Sequence, residues 1–439
     1  MGEVIFRGGT ILTVDPDSRV LSGDVACRDG VLVQVGGDHV PQDADYEIID
    51  ATGCAVMPGL VQSHVHMCQT LARGRADGLE LLDWLGRVVW PYEAALEHAD
   101  VAAAARLACL ELLTGGTTAI LDMGTVRHTD ALFEAARDAG LRATIGKAMM
   151  DAAGCPDGLR EGTRESLAES ARLCRDWHGR SGGRLRYAYA PRFVLSCTDE
   201  LLRETAAAAR AAGVRVHTHA SENRREIERV VAERGADNVV HLDRLGLSGD
   251  DVCLAHCVWL SDAERRILRQ TGTHLLHCPS SNLKLGSGVA EVPELLAEGV
   301  SVSLGADGAP CNNNLDGFLE MRLAALVHAP RVGPRALPAP EVVRMATMGG
   351  ARALGLAGEI GSLEVGKRAD VIAVDLGGPH VVPVADPWSA VVYACRSTDV
   401  RDVVVDGRVV VRDRRLLTLD RGQILADARE RAARVFARL

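Results

Sequence analysis

His64 and His66, separated by one residue, close an apolar stretch that begins near Pro58. On a β-strand, residues i and i+2 project from the same face, so both imidazoles would point the same way. Paired imidazoles at a strand end are ligands that a divalent metal of the zinc type accepts. Alone the His-x-His motif is weak, and its meaning depends on what the rest of the chain supplies.

A second pair, His217 and His219, also ends an apolar stretch, and Glu222 follows three residues later. Both histidines share a strand face, so spacing alone does not show which one is a ligand. Glu222 could reach back over a water molecule on the metal. A carboxylate in that position suits proton transfer from water to a leaving group.

His256 and Asp307 follow two further apolar stretches. A lone histidine in an apolar strand is commonly a core residue. At the end of a strand, a functional role for His256 is as well supported as a core role. The Asp307 carboxylate can complete a metal shell or accept a proton from water. We expect Asp122 and Asp151, which also lie near strand ends, to orient loops.

The elements that position these residues alternate between apolar strands and helix-like segments. The predicted strands are 56–66, 117–122, 143–149, 185–191, 214–219, 252–257, 273–278 and 300–305. Eight strands alternating with helices predict an α/β fold with a (β/α)8 TIM-type barrel, and a doubly wound open sheet is the alternative. A barrel collects functional residues at the C-terminal ends of its strands, where the histidines and Asp307 fall.

Both ends of the chain have a different pattern, with short strands and turn signals such as Asp29-Gly30 and Asp406-Gly407. We predict that residues 1–55 and 360–420 form one small β-sandwich-like domain. Residues 56–359 would form the barrel, and residues 421–439 a C-terminal helix on its outside.

The composition excludes several classes of protein. The chain has 439 residues, a net charge of -10 and no Lys/Arg run, so we expect neither a nucleic-acid partner nor an anionic membrane surface. Its twelve cysteines form no Cys-x-x-Cys pair and indicate buried thiols in a reduced compartment. With neither a signal-peptide pattern nor an 18-residue apolar stretch, we predict a cytoplasmic protein that acts on a small molecule.

Several motifs taken together carry a family resemblance: Pro58-Gly59-Leu60-Val61 before His64-Val65-His66, His219-Ala220-Ser221-Glu222, Ala255-His256-Cys257, Leu304-Gly305-Ala306-Asp307-Gly308, and Gly361-Ser362-Leu363-Glu364-Val365-Gly366-Lys367-Arg368-Ala369-Asp370. In this order and spacing they resemble the amidohydrolase superfamily along nearly the whole chain.

Further motifs resemble one branch of that superfamily, which holds chlorotriazine hydrolases and the S-adenosylhomocysteine, methylthioadenosine and 5'-deoxyadenosine deaminases. They are Leu71-Ala72-Arg73-Gly74, Trp84-Leu85, Trp90-Pro91-Tyr92-Glu93, Pro279-Ser280-Ser281-Asn282-Leu283-Lys284-Leu285 and Asn312-Asn313-Asn314-Leu315-Asp316. The branch tends toward dimers and tetramers, so the resemblance also implies a homo-oligomer.

The resemblance implies a set of roles for the site residues. One divalent metal would be held by four ligands, namely His64, His66, His219 and Asp307. Glu222 would act as acid and base, His256 and Asp307 would orient the attacking water, and His217 would support a ligand. Zinc is the favoured metal, with Fe2+, Mn2+ and Ni2+ as alternatives.

Many relatives that bind two metals use a carboxylated lysine on the fourth strand. Residues 185–191 contain no lysine, and Lys147 falls on the third strand. We therefore expect a single metal.

The substrate-binding predictions also rest on the resemblance. Glu93 matches a glutamate that grips the ribose hydroxyls in the nucleoside deaminases, and Trp84 and Trp90 could line the pocket. Arg192 stands where those deaminases usually carry a histidine, and its fork of donors could bind a carbonyl or carboxylate. Arg160 and Arg164 are candidates for contact with a homocysteine carboxylate.

These features predict a metal-dependent hydrolytic deaminase of an adenosine-type nucleoside, namely S-adenosylhomocysteine, methylthioadenosine or 5'-deoxyadenosine, that releases ammonia. The alternative is hydrolysis of a sugar-free aminated heterocycle, such as dechlorination or deamination of an s-triazine, or deamination of guanine or another oxo-purine. A non-catalytic scaffold fits less well, because the chain retains every expected ligand together with Glu222.

Overall fold

Two sheets organise the chain in the computed structural model, which describes residues 2–42 and 44–439. Its strands are β1 (Glu3–Leu12), β2 (Val20–Arg28), β3 (Val31–Val35), β4 (Tyr46–Asp50), β5 (Cys54–Pro58), β6 (Leu60–His66), β7 (Thr117–Met123), β8 (Arg142–Gly146), β9 (Ala148–Met149), β10 (Leu185–Pro191), β11 (Arg215–Ala220), β12 (Val252–His256), β13 (His274–His277), β14 (Val302–Leu304), β15 (Asp307–Gly308), β16 (Val371–Asp375), β17 (Val400–Val405), β18 (Arg408–Arg412) and β19 (Arg415–Leu416).

The helices lie mainly between the strands of the second sheet. They are α1 (Leu81–Trp84), α2 (Trp90–Ala94), α3 (His98–Thr114), α4 (Asp130–Ala139), α5 (Thr163–Trp177), α6 (Asp199–Ala212), α7 (Arg224–Arg234), α8 (Asn238–Arg244), α9 (Asp262–Thr271), α10 (Pro279–Lys284), α11 (Val292–Ala297), α12 (Ala309–Asn312), α13 (Gly317–Val327), α14 (Ala329–Val332), α15 (Ala339–Arg344), α16 (Gly350–Ala353), α17 (Pro387–Ser389) and α18 (Arg421–Phe436).

The second sheet is a closed parallel barrel. Its strands follow the order β6-β7-β8-β10-β11-β12-β13-β14, with β9 beside β10, and β15 pairs with β6 to close the ring. The eighth barrel strand is thus divided into β14, which pairs with β13, and β15, where Asp307 lies opposite Val65. The predicted TIM-type barrel is confirmed.

The first sheet joins the two ends of the chain. Its strand order is β19-β18-β17-β16-β5-β1-β2-β3, with β4 beside β1. Backbone hydrogen bonds from Leu32 N to Lys367 O and from Gly366 N to Leu32 O, both at 2.8–2.9 Å, bring β3 back toward the segment before β16. A separate sheet domain built from both ends of the chain is therefore present.

The domain limits stay predictions, but the predicted first barrel strand, 56–66, was wrong in one respect. The apolar stretch continues through Gly59, yet β5 pairs with β1 and β16 in the terminal sheet, and the barrel begins with β6. A Cβ at residue 59 would lie 2.1 Å from Thr118 Oγ1, so the chain passes between the two sheets at a position that only glycine fits.

A buried ion pair fastens the barrel to the terminal sheet. Arg142, in β8, donates from Nε to Asp370 Oδ2 at 2.9 Å and from Nη2 to Asp370 Oδ1 at 3.0 Å. The same Nη2 donates to Asp406 Oδ1 at 3.1 Å. Because all three groups are buried, losing one partner would leave an uncompensated charge in the interior.

The last helix, α18, packs outside the barrel, where the ring of Phe436 stacks on Tyr92 with centroids 5.8 Å apart. Arg438, just beyond the helix, forms an ion pair with Asp100 in α3. Within the described residues, no helix has both the length and the apolar character needed to cross a membrane.

Candidate metal centre and active site

Three histidines present Nε2 to a common point, and each has its other nitrogen fixed. His64 and His66 are buried and His219 is half-buried. The Nδ1–H groups of His66 and His219 donate to the carbonyl oxygens of Met123 and Arg192, each at 2.7 Å. His64 Nδ1 lies 2.7 Å from His217 Nε2, so its proton points to His217 when Nε2 acts as a ligand. The second nitrogen therefore orients each ring and sets its tautomer.

Asp307 completes this cluster. Its Oδ1 lies 3.3 Å from His64 Nε2 and 3.4 Å from His66 Nε2. The sets His64/His66/His219 and His64/His256/Asp307 each have ligand atoms within 4.8 Å of one another. The structure thus brings together all four predicted metal ligands.

The donors also suit a metal by their charge and hydrogen bonding. Burial lowers the pKa of His66 to about 4 and lowers the pKa of His64 and His219, so the rings are neutral near pH 7, the form that binds metals. His64 Nε2 is buried without a hydrogen-bond partner among the described residues. An unpaired buried nitrogen is costly, and a divalent cation at this point would remove that cost.

Glu222 and His256 lie beside the cluster. His256 Nε2 is 3.5 Å from Glu222 Oε2 and 3.9 Å from Asp307 Oδ2, while its Nδ1–H donates to Asn282 Oδ1 at 2.9 Å. Burial raises the pKa of Glu222 to about 7, and the nearby charges of Asp307 and Glu226 add to the shift against the opposing effect of His256. A carboxyl group with this pKa exchanges protons readily at neutral pH.

The strand ends that carry these residues have an unusual backbone. Ser221, His256, Cys257 and Asp307 have positive φ values of 51°, 73°, 47° and 63°. Non-glycine residues seldom adopt this region, and such strain gathers where a structure holds functional groups. The turns aim the side chains of His256 and Asp307 at the cluster.

A narrow cavity opens next to these groups. One part of its wall is polar and consists of His66, Arg192, His219, Glu222, Glu226, His256 and Asp307. The other part is apolar and consists of Leu81, Trp84, Leu85, Phe193 and Leu285. The predicted catalytic residues and three of the four predicted metal ligands therefore line one cavity.

Glu93 and Arg192 form a buried ion pair at the edge of this cavity. Arg192 Nη2 donates to Glu93 Oε1 at 3.0 Å, and Nη1 donates to Oε2. Gln69 Nε2 donates to Glu93 Oε1 at 2.8 Å. Arg192 lines the cavity, whereas Glu93 is not among its lining residues.

Of the other residues predicted to contact the substrate, one lines the cavity and three do not. Trp84 lines the cavity, but Trp90 packs against the apolar cluster that contains Met123 and Val126. Arg160 and Arg164 are exposed, and Arg160 pairs with Asp157. These arginines are not among the residues that line the cavity.

Several residues that hold the site were not predicted in this role. Ser281 Oγ donates to Asp307 Oδ2 at 2.6 Å, and Ser287 Oγ donates to Glu222 Oε1 at 3.3 Å. Glu226 Oε2 accepts from the backbone N of Glu222 at 2.8 Å and of Asn223 at 3.3 Å. An Asn followed three residues later by Glu is a helix-start signature, so Glu226 could have been found from the sequence.

Lys147 takes no part in the cluster. Its Nζ forms an ion pair with Glu161 and donates to Ala148 O at 3.2 Å. It therefore lies in a separate buried network behind the third strand of the barrel.

Two relatives match along almost the whole chain. A 5'-deoxyadenosine deaminase from Methanosarcina mazei is 40% identical over 441 residues, which covers 100% of both chains. A 5-methylthioadenosine/S-adenosylhomocysteine deaminase from Syntrophobacter fumaroxidans is 42% identical, with 97% of each chain covered.

Solved structures of a deaminase and of a chlorohydrolase are also similar to this chain. An adenosine deaminase from Xanthomonas campestris with bound zinc has a TM-score of 0.92 and 32% identity, covering 99% of each chain. A zinc complex of an atrazine chlorohydrolase from Arthrobacter aurescens has a TM-score of 0.93 and 29% identity, covering 98% of this chain and 100% of that one. The model of the amidohydrolase family matches residues 55–410. With these matches and the cluster of histidines and aspartate described above, the chain belongs to the amidohydrolase family.

Proposed function

We propose that the protein is a metal-dependent hydrolytic deaminase of an adenosine-type nucleoside, which it converts with water to the 6-oxo nucleoside and ammonia. The observation that carries this proposal is a single cavity lined by Glu222, with a pKa of about 7, together with His256 and three of the four candidate metal ligands, His66, His219 and Asp307. The names of the two relatives at 40% and 42% identity support the substrate class.

His64, His66, His219 and Asp307 would hold one divalent metal, for which we propose zinc because the donor set is rich in imidazole. When bound, such a metal lowers the pKa of a water molecule toward neutrality and so supplies the nucleophile.

The remaining residues orient groups and move protons. His256 and Asp307 hold the attacking water against the purine carbon that bears the amine. Glu222 accepts a proton from that water and delivers it to the adjacent ring nitrogen, so that the carbon becomes open to attack. Glu222 or Asp307 then takes the second proton of that water from the hydroxyl now bound to the carbon and passes it to the amine. The carbon–nitrogen bond breaks as the carbonyl forms, and ammonia leaves.

The walls of the cavity would bind the rest of the substrate. We propose that Trp84 packs against the substrate and that Glu93 and Arg192 form the polar part of the binding site. Trp90 would act through packing on the cluster that contains Met123 and Val126 rather than by contact with the substrate. The alternative, hydrolysis of a sugar-free triazine or oxo-purine, is not favoured, because the solved triazine hydrolase is more distant, at 29% identity, than the nucleoside deaminases.

A substrate screen tests the proposal. Purified protein with measured metal content is assayed for ammonia release from 5'-deoxyadenosine, methylthioadenosine, S-adenosylhomocysteine, guanine and an s-triazine. Turnover of a nucleoside that is lost on chelation and restored by zinc is expected. Turnover of the sugar-free compounds alone would contradict the nucleoside assignment.

We further propose that the enzyme is a cytoplasmic homo-oligomer. All twelve cysteines are free thiols, eleven of them buried, which suits a reducing compartment. Light scattering on the purified protein would measure the oligomeric state, and a monomer at micromolar concentration would contradict the assembly.

A further inference from the structure

We infer that Glu320, in α13, is a positioning residue that sets the geometry of Asp307 and His256 together. Its side chain makes hydrogen bonds with Ser280 and Asn312, so it acts on the reacting groups through these neighbours. The inference rests on the proposed deaminase function, because that function gives Asp307 and His256 their roles.

The first step concerns α10, which contacts both reacting groups from one helical turn. Ser281 Oγ donates to Asp307 Oδ2 at 2.6 Å, and Asn282 Oδ1 accepts from His256 Nδ1 at 2.9 Å. Ser281 and Asn282 are adjacent in the chain and both are buried. A movement of this turn would therefore change the orientation of both functional side chains at once.

The turn after α10 extends these contacts to Glu222. Ser287 N donates to Asn282 O at 2.8 Å, which folds the chain back onto the helix. Ser287 Oγ then donates to Glu222 Oε1 at 3.3 Å. The helix and its following turn thus contact Glu222, His256 and Asp307, the three residues that the proposed reaction uses to move protons and orient water.

The second step asks what holds α10 in place. It has six residues, too few for a stable helix without tertiary support. Its N-cap residue, Cys278, makes no side-chain cap hydrogen bond. Glu320 supplies the cap from another helix, because its Oε2 accepts from Ser280 N at 3.1 Å and its Oε1 accepts from Ser280 Oγ. A carboxylate at this end satisfies a free N–H group and complements the helix dipole.

A second connection runs from Glu320 to the backbone beside Asp307. Glu320 Oε1 accepts from Asn312 Nδ2 at 2.9 Å, and the same amide group donates to Ala306 O at 2.7 Å. Ala306 directly precedes Asp307, whose φ of 63° belongs to the left-handed region. Glu320 therefore supports Asp307 from two sides, at its carboxylate through α10 and at its backbone through Asn312.

Burial makes this support hard to replace. Glu320 is 1% exposed, and Ser280 and Asn312 are also buried. Water has little access to donors that lose their acceptor here, so an unsatisfied group would be costly or would draw the helix out of place. Two motifs noted in the sequence, 279–285 and 312–316, thus meet at one buried carboxylate.

Substitutions at both ends of the pair between Glu320 and Ser280 test the inference. Glu320→Gln, Ser280→Ala and the double variant are compared with wild type at pH 8, above the Glu320 pKa of about 7. Glutamine keeps the size of the side chain but offers one acceptor oxygen in place of two. We would measure kcat and KM for 5'-deoxyadenosine at saturating zinc, and zinc affinity by competition with a chelator.

The control is Arg142→Met, which weakens the ion pair between the barrel and the terminal sheet. It lowers stability without a contact to α10 or to Glu320. Thermal unfolding is recorded for every protein, so that an effect on the site can be separated from general destabilisation.

We expect Glu320→Gln to lower kcat and zinc affinity each by about tenfold to a hundredfold, the usual effect of disturbing groups that orient metal ligands. KM should change by less than about threefold, since neither Glu320 nor Ser280 is among the described residues that line the cavity. Ser280→Ala, which removes one hydroxyl, should lower kcat by about threefold to tenfold. Adding it to Glu320→Gln should cost less than about twofold more, because the connection is already lost.

Three results would overturn the inference. They are normal kcat and zinc affinity in folded Glu320→Gln or in Ser280→Ala, losses that multiply fully in the double variant, and an equal loss of kcat in Arg142→Met. If the wild type turns over no nucleoside, the proposed function fails, while the comparison of zinc affinities still tests the positioning role.

Discussion

Glu222→Gln is the substitution that tests the proposed chemistry most directly. The amide keeps the size of the side chain. In wild type, Glu222 Oε1 lies 3.3 Å from Ser287 Oγ and Oε2 lies 3.5 Å from His256 Nε2, and glutamine can occupy the same place. It cannot shuttle a proton. General acid–base catalysis contributes roughly 10² to 10⁴ in rate, or about 3–5 kcal/mol of the barrier, so we expect kcat to fall by that factor.

The same substitution should not lower the free energy of unfolding at neutral and higher pH, although it lowers turnover. Burial raises the pKa of Glu222 from 4.5 to about 7, so the native state binds more protons than the unfolded state between these values. The wild type therefore loses stability as the pH rises from 4.5 to 7. Glutamine does not titrate, and the variant should be at least as stable as wild type at pH 8.

The assay follows ammonia release and metal content together, with thermal unfolding at pH 5 and pH 8. The control is Glu228→Gln, an exposed carboxylate on α7, the helix that follows Glu222, and it should leave all three properties unchanged. In wild type kcat/KM should fall below about pH 7 as Glu222 becomes protonated, and the variant should lack this limb. Near-normal turnover in a metal-replete variant would refute the role of Glu222.

Three further predictions concern the metal and the stability of the fold. Elemental analysis should give one divalent metal per chain that is needed for activity, and two required equivalents would contradict the single site. Arg142→Met should lower the free energy of unfolding by about 3–5 kcal/mol because it leaves the buried Asp370 without its cationic partner, whereas Asp406 keeps its ion pair with Arg368. Arg186→Met, which removes a half-exposed pair with Glu359, should cost at most about 1 kcal/mol, and equal losses in thermal unfolding would refute the argument. Burial raises the pKa of Glu320 from 4.5 to about 7, so Glu320→Gln should gain stability relative to wild type as the pH rises from 5 to 8, and a pH-independent difference would contradict that pKa.

Topology made the grouping of the proposed metal ligands predictable. His66, His219 and Asp307 are far apart in sequence, yet each ends a strand, and parallel barrel strands bring their C-terminal ends to one edge. Knowing the period of the strands was therefore enough to group them. The helix-start signature at Asn223 and Glu226 can also be recognised in the sequence. Glu226 accepts hydrogen bonds from the backbone N of Glu222 and of Asn223 and so fixes the turn that carries Glu222.

Other features left no signal in the sequence. The carbonyl groups of Met123 and Arg192 orient His66 and His219, two of the proposed ligands, and every residue type has a carbonyl. The pairing of Arg192 with Glu93 joins residues 99 positions apart through loops whose course no periodicity describes. Gly59 divides one apolar run between two sheets because of a contact with Thr118, which only the packed structure shows.

The fixed second nitrogens of the histidines also bear on how the protein can be handled. Because His66 and His219 are tied to backbone carbonyls and His64 to His217, their rings keep their orientation without help from the cation. We expect the metal-free protein to remain folded and to take up a replacement ion without refolding. Cobalt(II), whose visible absorption reports coordination number, could then be exchanged into the site, giving a spectroscopic view of substrate binding that zinc, with its filled d shell, does not offer.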